Sequence, residues 1–184
     1  MSKIGLLITA FECEDELDEV LKPWIKYRNL GKDELIISVN SVQFKEWAEL
    51  YPNNNQNTIN KLYTLKHIDK VIDFVSTSEI PLTEWDARNL ALKPLLDEKC
   101  DYVILLDSDE HYSLKDIENI CNYIQKDPFI ALYKIKMRNL VFDNSRYTLD
   151  FCPSRVWKTN LTNYTLSHFT FDNDCAYRGI LTRD

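Results

Sequence analysis

Residues 83–112 read TEWDARNLALKPLLDEKCDYVILLDSDEHY, and this stretch decides the fold. Its centre is the apolar run at residues 102–106, which ends directly in the acidic sequence DSDE at residues 107–110. A short, continuous apolar run between polar flanks is typical of a strand buried on both faces, most often in the middle of a parallel sheet. Ligands of open α/β sheets bind beyond the carboxyl ends of such strands. The acidic residues are therefore predicted to lie where a ligand binds.

The acidic sequence itself indicates a cation site. The carboxylates of Asp107, Asp109 and Glu110 repel one another and raise one another's pKa unless something compensates for their charge. A hard divalent cation, Mg²⁺ or Mn²⁺, does so well because it prefers oxygen ligands. The competing interpretation is a solvated acidic turn before a helix, with Ser113 as the N-cap and Asp116 completing a capping box. After a strand buried on both faces, the pattern favours the metal site.

Strands and helices alternate along the first two thirds of the chain, which predicts βαβ units and a mainly parallel sheet. Beyond residue 130, alternating apolar and basic residues predict a half-exposed antiparallel strand that returns after a polar turn. The predicted strands are 3–10, 35–39, 71–75, 102–106, 131–142, 147–157 and 166–171. The predicted helices are 14–29, 44–51, 58–67 and 114–125, with an additional helix over the ARNLAL sequence.

Composition limits the function classes. The chain has 184 residues, a length typical of one domain, and a net charge of −7 without long runs of like charge, which argues against a broad basic face for nucleic acid. Five irregularly spaced cysteines without a C-x-x-C pattern favour free thiols in a reducing cytoplasm. The apolar run at residues 4–8 is too short for a signal peptide, and we expect no membrane span.

Glycine is scarce, and this has a consequence for nucleotide binding. Gly5, Gly31 and Gly179 are the only glycines, so neither G-x-G-x-x-G nor G-x-x-x-x-G-K-[ST] occurs. A nucleotide diphosphate would therefore have to be held by a metal ion and side-chain cations rather than by a glycine-rich loop.

The order of a helix with the sequence ARNLAL (residues 87–92), a short link, an apolar strand and DSDE resembles the family-two glycosyltransferases of the GT-A fold. The resemblance is specific over residues 83–112 and extends less closely to residues 3–21. It implies a three-layer α/β/α sandwich, with a mainly parallel central sheet and an antiparallel hairpin in its C-terminal part. It also implies a single domain, 1–184, in which residues 1–112 bind a nucleotide-sugar and residues 113–184 bind the acceptor.

The resemblance implies roles for the acidic residues. Asp107 and Asp109 would hold Mn²⁺ or Mg²⁺ on the diphosphate of the donor, with a UDP-sugar favoured, and Asp107 would also contact the sugar part of the nucleotide. His168 is the candidate third metal ligand, although it could equally be a partly buried histidine that bonds a backbone group. An inverting enzyme needs a carboxylate to deprotonate the acceptor hydroxyl. The candidates for that base are Glu110, Asp150 and Asp172.

The remaining candidates would bind the nucleotide. Thr9 and Phe11 follow the first strand, where relatives carry a threonine and an aromatic residue that stacks on the base, although Phe11 could also be a core residue. Asn40 stands where relatives have aspartate, and an amide donates as well as accepts hydrogen bonds. Arg88 and Asn89 match the R-N of the motif, and a guanidinium pairs well with phosphate. The alternative for Arg88 is ordinary surface charge.

Three other functions stay open at this point. A non-catalytic GT-A-like binding module would explain the asparagine at position 40 and the short acceptor half. A metal-dependent phosphohydrolase of the D-x-D type expects D-x-D-G-T near the N-terminus, and a nucleotidyltransferase expects a glycine-rich first loop. The acceptor could be a glycan, a protein or a modified nucleobase. The sequence determines neither inversion against retention nor the oligomeric state.

Overall fold

The computed structural model describes residues 1–41, 55–73, 84–127, 129–141, 146–148, 152–160 and 180–182. Its strands are β1 Lys3–Thr9, β2 Glu34–Asn40, β3 Lys70–Ile72, β4 Tyr102–Asp107, β5 Leu132–Lys136, β6 Asn139–Val141, β7 Arg146–Thr148, β8 Ser154–Lys158 and β9 Ile180–Thr182. Its helices are α1 Leu17–Asn29, α2 Gln56–Thr64, α3 Glu84–Asp97 and α4 Leu114–Ile124. None of these described helices has both the length and the apolar content needed to cross a membrane.

Seven of the described strands form one sheet in the order β3-β2-β1-β4-β8-β5-β9. The pairs β3–β2, β2–β1, β1–β4 and β5–β9 are parallel, and β8 is antiparallel to both of its neighbours, β4 and β5. Strands β6 and β7 form a separate antiparallel ribbon. The predicted architecture, a mainly parallel sheet with an antiparallel hairpin in its C-terminal part, is confirmed.

Helices cover the sheet on both faces, which makes the predicted three layers. Alternate residues of β1 and β4 point to opposite faces, so each strand contributes to two cores. Ile104 packs with α1 and α4 in the larger core, whereas Val103 packs with α3 in the smaller one. Both central strands are therefore buried on both faces, as their continuous apolar sequences predicted.

Gly5 allows α3 to lie close to the sheet. A Cβ atom at this position would lie 2.9 Å from a methyl group of Leu95 and 3.2 Å from the Cys100 sulfur. Contacts of this length are repulsive, so any larger residue here would push the helix outward. The close packing of α3 fixes the helix that carries Arg88.

The helix ends follow from local chemistry. α1 contains Pro23 and ends at Leu30, after which Gly31 adopts a φ of +64°, as a C′ glycine does. At the start of α4, the Ser113 hydroxyl accepts a hydrogen bond from the Asp116 N–H at 3.1 Å, and the Asp116 carboxylate accepts one from the Ser113 N–H at 2.8 Å. The predicted capping box is confirmed.

The predicted helix 58–67 begins earlier than expected, and Thr58, its first predicted residue, is not its N-cap. α2 begins at Gln56, and its N-cap is Asn55, which has a φ of +60°. The Thr58 hydroxyl instead accepts from the Cys13 N–H at 3.1 Å and donates to the Glu14 carboxylate at 2.7 Å. Thr58 thus ties α2 to the loop between β1 and α1, a contact between segments more than forty residues apart.

Asn55 belongs to an asparagine-rich stretch of the sequence, yet it is only 2% exposed. Its Oδ1 atom accepts from the Glu12 N–H at 2.8 Å, and its Nδ2 group donates to the carbonyls of Ala10 at 3.0 Å and Ser41 at 2.8 Å. The Asn55 amide therefore joins the chain segments that follow β1 and β2. Asparagine tolerates the left-handed backbone conformation that this position requires.

Several predicted boundaries differ. The third strand is Lys70–Ile72 and not 71–75. The predicted strand 131–142 divides into β5 and β6, because β5 pairs within the large sheet and β6 pairs only with β7. The predicted strand 147–157 divides in the same way, and Pro153 lies just before β8, where its carbonyl accepts from the Ile135 N–H at 3.0 Å. The predicted helix 44–51 and strand 166–171 lie outside the described residues.

Candidate active site at the carboxyl edge of the sheet

Three of the predicted site residues lie side by side at the carboxyl ends of neighbouring strands. In the parallel ladders, Thr9 of β1 is opposite Asn40 of β2 on one side and opposite Asp107 of β4 on the other. Asn40 is fully buried, and Thr9 is nearly so. The row forms because the three strands run in the same direction and end at the same level, which is where α/β sheets bind ligands.

Arg88 reaches this row from α3. Its Nη2 group donates to the Asp107 Oδ1 atom at 3.0 Å, and only 12% of its side chain is exposed. A guanidinium buried to this extent and bonded to a carboxylate is not ordinary surface charge. Asn89 follows on the same helix and is half-buried, as is Phe11 beyond the end of β1.

Arg155, which sequence reasoning missed, is the second guanidinium of the site. It lies on β8, beside β4, and only 7% of its side chain is exposed. Its Nη2 group donates to Asp107 Oδ2 at 2.7 Å and to Glu110 Oε1 at 2.5 Å, and its Nε group donates to Glu110 Oε1 at 3.0 Å. A signal was present in the sequence, because an arginine inside a partly apolar strand needs a carboxylate partner.

The acidic turn, residues 107–110, is closed by hydrogen bonds between its first and last residues. The Glu110 N–H donates to the Asp107 carbonyl at 3.0 Å, and Glu110 Oε2 accepts from the Asp107 N–H and from the Tyr112 hydroxyl, both at 3.4 Å. Glu110 is 8% exposed. Ser108 and Asp109 lie between the two closing residues, and Asp109 is exposed with no ion pair to any residue in the described part of the chain.

Burial and charge act in opposite directions on the Arg155–Glu110 pair. Burial raises the pKa of Glu110, and the charge of Arg155 and its hydrogen bonds oppose that rise. Burial alone would lower the pKa of the Arg155 guanidinium, but the charges of Glu110 and Asp107 outweigh it and raise that pKa overall. Arg155 therefore stays charged and compensates two carboxylates at once.

The described donors fit a cation site that takes most of its ligands from elsewhere. Among the residues that the structure describes, no group of three His, Cys, Asp or Glu side chains lies together to hold a metal ion. Asp109 offers an exposed carboxylate, while both oxygens of Asp107 contact arginines. Mg²⁺ is usually bound by one or two protein carboxylates together with water and substrate phosphates, and this donor set is compatible with that mode.

The other predicted site residues cannot be placed beside this cluster. His168, the candidate third ligand, lies outside the described residues, as do Asp150 and Asp172, the candidate bases in the acceptor half. The structure brings together residues that were predicted to bind the nucleotide: Thr9, Asn40, Arg88 and Asp107, with the acidic turn that begins at Asp107.

An α/β/α sandwich with its polar edge at the ends of β1, β2 and β4 is GT-A-like, the fold of nucleotide-diphospho-sugar transferases and related nucleotidyltransferases. One solved structure with this fold is 4-diphosphocytidyl-2C-methyl-D-erythritol synthase from Anaerococcus prevotii, with a TM-score of 0.51 and 14% identity over 99% of this chain and 88% of that chain. Another is S. aureus TarS 1-349, with a TM-score of 0.50 and 16% identity over 86% of this chain and 48% of that chain.

A third similar structure is glucosyl-3-phosphoglycerate synthase from Mycobacterium tuberculosis in complex with Mn²⁺, UDP and phosphoglyceric acid. The identity is 18% over 73% of this chain, and the TM-score is 0.44. The chain spans 43% of the length of that synthase, less than half. No protein-family model matches the chain, and no curated protein matches it significantly. At these identities the similarity shows the fold alone.

Proposed function

We propose that the protein is a metal-dependent glycosyltransferase that moves a sugar from a nucleotide-sugar, with a UDP-sugar favoured, to an acceptor hydroxyl. The observation that carries this proposal is the alignment of Thr9, Asn40 and Asp107 at one edge of the sheet, beside an exposed Asp109. This edge combines buried polar groups suited to a nucleoside with a carboxylate suited to a cation. The proposal is supported by the general position of ligands in open α/β sheets, which is beyond the carboxyl ends of the strands.

The cation supplies Lewis-acid stabilisation of the diphosphate leaving group. In the proposed arrangement Asp109 would hold Mn²⁺ or Mg²⁺, with His168 as a further ligand. Both oxygens of Asp107, the other predicted ligand, are bonded to arginines, so Asp107 would support the site through these contacts. Arg88 lies beside Asp107 and is positioned to reach a diphosphate, because its guanidinium already points into this edge. Asn89, half-buried on the same helix, is proposed to help bind the nucleotide.

The base-binding part of the proposal rests on three residues. Thr9 and Asn40 have buried polar groups at adjacent strand ends. The half-buried Phe11 follows Thr9 by two residues, just beyond the end of β1. An aromatic ring stacks on any base, so Phe11 would contribute affinity without selecting the base. Asn40 would select it, since an amide can both donate to and accept from a base edge.

Three residues were predicted as the base that deprotonates the acceptor: Glu110, Asp150 and Asp172. The contacts of Glu110 make it the least suitable of them. A general base must reach the proton that it removes and must be free to accept it. The Glu110 carboxylate is buried and bonded to Arg155, Tyr112 and the Asp107 N–H. Asp150 or Asp172, in the proposed acceptor half at residues 113–184, therefore remains the proposed base.

Titration calorimetry with UDP, GDP and their sugars tests the proposal in Mn²⁺ and again in EDTA. We expect one nucleotide-sugar to bind in Mn²⁺ and to lose most of its affinity in EDTA, and we expect Asp109→Asn to bind equally weakly in both. Equal affinity with and without EDTA would refute the metal requirement. Tight binding without any release of nucleoside diphosphate, tested against candidate glycans and proteins, would instead support a non-catalytic binding module.

A second candidate function is nucleotidyl transfer. The observation behind it is the fold shared with the Anaerococcus synthase over 99% of this chain and 88% of that chain. Against it stands the first loop, residues 10–16, which contains no glycine to approach a triphosphate. Release of pyrophosphate from CTP or UTP would identify a nucleotidyltransferase, whereas release of nucleoside diphosphate from a nucleotide-sugar would identify a glycosyltransferase.

A further inference from the structure

Arg155 connects the two ends of the acidic turn with a single guanidinium. Its Nη2 group lies 2.7 Å from Asp107 Oδ2 and 2.5 Å from Glu110 Oε1, and its Nε group lies 3.0 Å from the same Glu110 oxygen. The planar fork of arginine suits this geometry, because separate N–H groups point at separate carboxylates. Lysine cannot reproduce this geometry, because its side chain is one bond shorter than the path to Nη2 and carries no second donor at the position of Nε.

The neighbouring contacts leave Asp109 as the exposed acid of the turn. Asp107 is held on its other oxygen by Arg88 at 3.0 Å, and the second oxygen of Glu110 faces the Asp107 N–H and the Tyr112 hydroxyl. The turn is therefore closed at both ends; of its two middle residues, Ser108 is half-buried and Asp109 is exposed. No described residue forms an ion pair with the Asp109 carboxylate, so among the described contacts those that close the turn are the ones next to it.

We propose that Arg155 is a positioning residue: it commits Asp107 and Glu110 to the protein and so presents Asp109 alone as the carboxylate for a divalent cation. This inference rests on the proposed function, because it assumes that a cation binds at this turn. It goes further by assigning the three acids different tasks, two of them structural. It also predicts that a residue on β8, with no contact to the cation, controls cation affinity.

The inference is testable, because a positioning role for Arg155 and a purely electrostatic role predict opposite changes in cation affinity when the guanidinium is removed. If the guanidinium acted on the cation only through its charge, its removal would relieve repulsion and tighten cation binding. If it acts by position, its removal weakens binding, and lysine does not restore it. Residues that support metal ligands from behind typically change metal affinity about 10–100-fold when mutated.

The experiment measures Mn²⁺ affinity by electron paramagnetic resonance, with saturating UDP and again without nucleotide, for wild type, Arg155→Lys and Arg155→Met. The control is Arg28→Met, because Arg28 also pairs with an aspartate, Asp69, but Asp69 precedes β3, which β2 and β1 separate from β4. Urea unfolding of every variant shows which of them fold. If Arg155→Met does not fold, Arg155→Lys decides, since it keeps the charge and loses only the fork.

We expect both Arg155 variants to bind Mn²⁺ about 10–100-fold more weakly and Arg28→Met to bind it normally. We also expect Asp109→Asn to cost less in the Arg155→Lys background than in wild type, because residues that act together are not additive. Wild-type affinity in Arg155→Lys, tighter binding in Arg155→Met, an equal loss in Arg28→Met, or additive losses for Arg155 and Asp109 would each overturn the inference.

The same measurements separate this inference from the proposed function. Arg155-dependent Mn²⁺ binding in a protein that turns over no nucleotide-sugar would retain the inference and refute glycosyl transfer. Metal-dependent turnover with Mn²⁺ binding that is insensitive to Arg155 would do the reverse. A wild-type protein that binds no Mn²⁺ under either condition would refute both.

Discussion

Acidic side chains lie at both edges of the sheet, but the groups that donate hydrogen bonds to them differ in charge. At the amino edge, Asp33 is 6% exposed and accepts from the Ser2 N–H at 3.0 Å, the Tyr27 hydroxyl at 2.5 Å and the Gln125 amide at 3.0 Å. All three donors are neutral. At the carboxyl edge, Asp107 and Glu110 are compensated by the guanidinium groups of Arg88 and Arg155.

This difference separates a structural carboxylate from a site. The described donors to Asp33 come from the backbone and from neutral side chains, so they include no cationic group that could also bind an anionic ligand. Guanidinium groups are themselves able to pair with phosphate, and the carboxyl edge also keeps one exposed acid, Asp109. Asp33 and Glu110 are buried to a similar extent, but among the described contacts only Glu110 is paired with a charged group.

The largest expected effect concerns the two adjacent acids Asp109 and Glu110. Asp109→Asn keeps the shape of the side chain but removes the charge offered to the cation, so nucleotide-sugar turnover should fall by orders of magnitude. The fold should survive or gain stability, because repulsion within the turn is relieved. Glu110→Gln should cost about 10–100-fold, since this side chain supports the turn from behind.

Turnover and Mn²⁺ affinity of these two variants, measured side by side, test that order. Greater damage from Glu110→Gln would reverse the assignment and make Glu110 the ligand or the base. Wild-type turnover in both variants would place the active site away from this turn.

A smaller effect is expected for Arg88. Arg88→Ala removes one charged hydrogen bond to Asp107 and a proposed contact to the diphosphate. A lost charged hydrogen bond costs roughly 1.5–3 kcal/mol, which corresponds to about one to two decades in nucleotide affinity. Calorimetry with the bound nucleotide measures it, and circular dichroism checks the fold. An unchanged dissociation constant in a folded variant would mean that Arg88 serves the turn and not the ligand.

At the amino edge, we expect Asp33→Asn to change stability alone. The new amide would direct N–H groups at the donors of Tyr27 or Gln125, and unsatisfied buried polar groups cost about 1–3 kcal/mol each. The free energy of unfolding in urea should fall by that amount, while nucleotide and Mn²⁺ affinities stay at wild-type values. A loss of ligand affinity equal to that of Arg88→Ala would show that the two edges are coupled.

The smallest effect concerns thiol protection at the two edges. Burial raises the pKa of Cys13 to about 11, opposed by a hydrogen bond to Ser108 in the acidic turn, and raises the pKa of Cys121, beside Tyr27, to about 12. A raised thiol pKa means little reactive thiolate at pH 8. In native protein treated with a disulfide reagent, we expect the half-buried Cys152 to react while Cys13 and Cys121 stay protected.

Mass spectrometry identifies the labelled cysteine at each time point. Faster labelling of Cys13 than of Cys121 would show that the carboxyl edge opens more often than the amino edge. Rapid labelling of both thiols in the absence of urea would contradict their burial.

The sequence predicted those features that depend on local pattern. The central strand β4 has a continuous apolar sequence, and parallel strands end at one edge, so Thr9, Asn40 and Asp107 could be expected to meet. The capping box of α4 follows from a four-residue signal. These features need no knowledge of which distant segments pair.

The features that were missed depend on distant pairing. Arg155 meets Glu110 only because β8 lies next to β4, and no local pattern specifies that neighbour. Asn55 appears to be one asparagine among several, yet its amide is fixed by the segments after β1 and β2. Thr58 could have capped a helix, but a backbone N–H at Cys13 engages its hydroxyl instead.

The position of β1 between β2 and β4 has a consequence for synthesis of the chain. β2 is complete at residue 40, but β4 is not complete until residue 107. At about 5–20 residues per second, the second side of β1 waits roughly 3–13 seconds for its partner on the ribosome. During that interval β1, which is buried over six of its seven residues in the finished sheet, is an open edge strand, able to pair with other chains. The nascent protein is thus exposed to aggregation at the strand that later lies at the centre of its sheet, between β2 and β4.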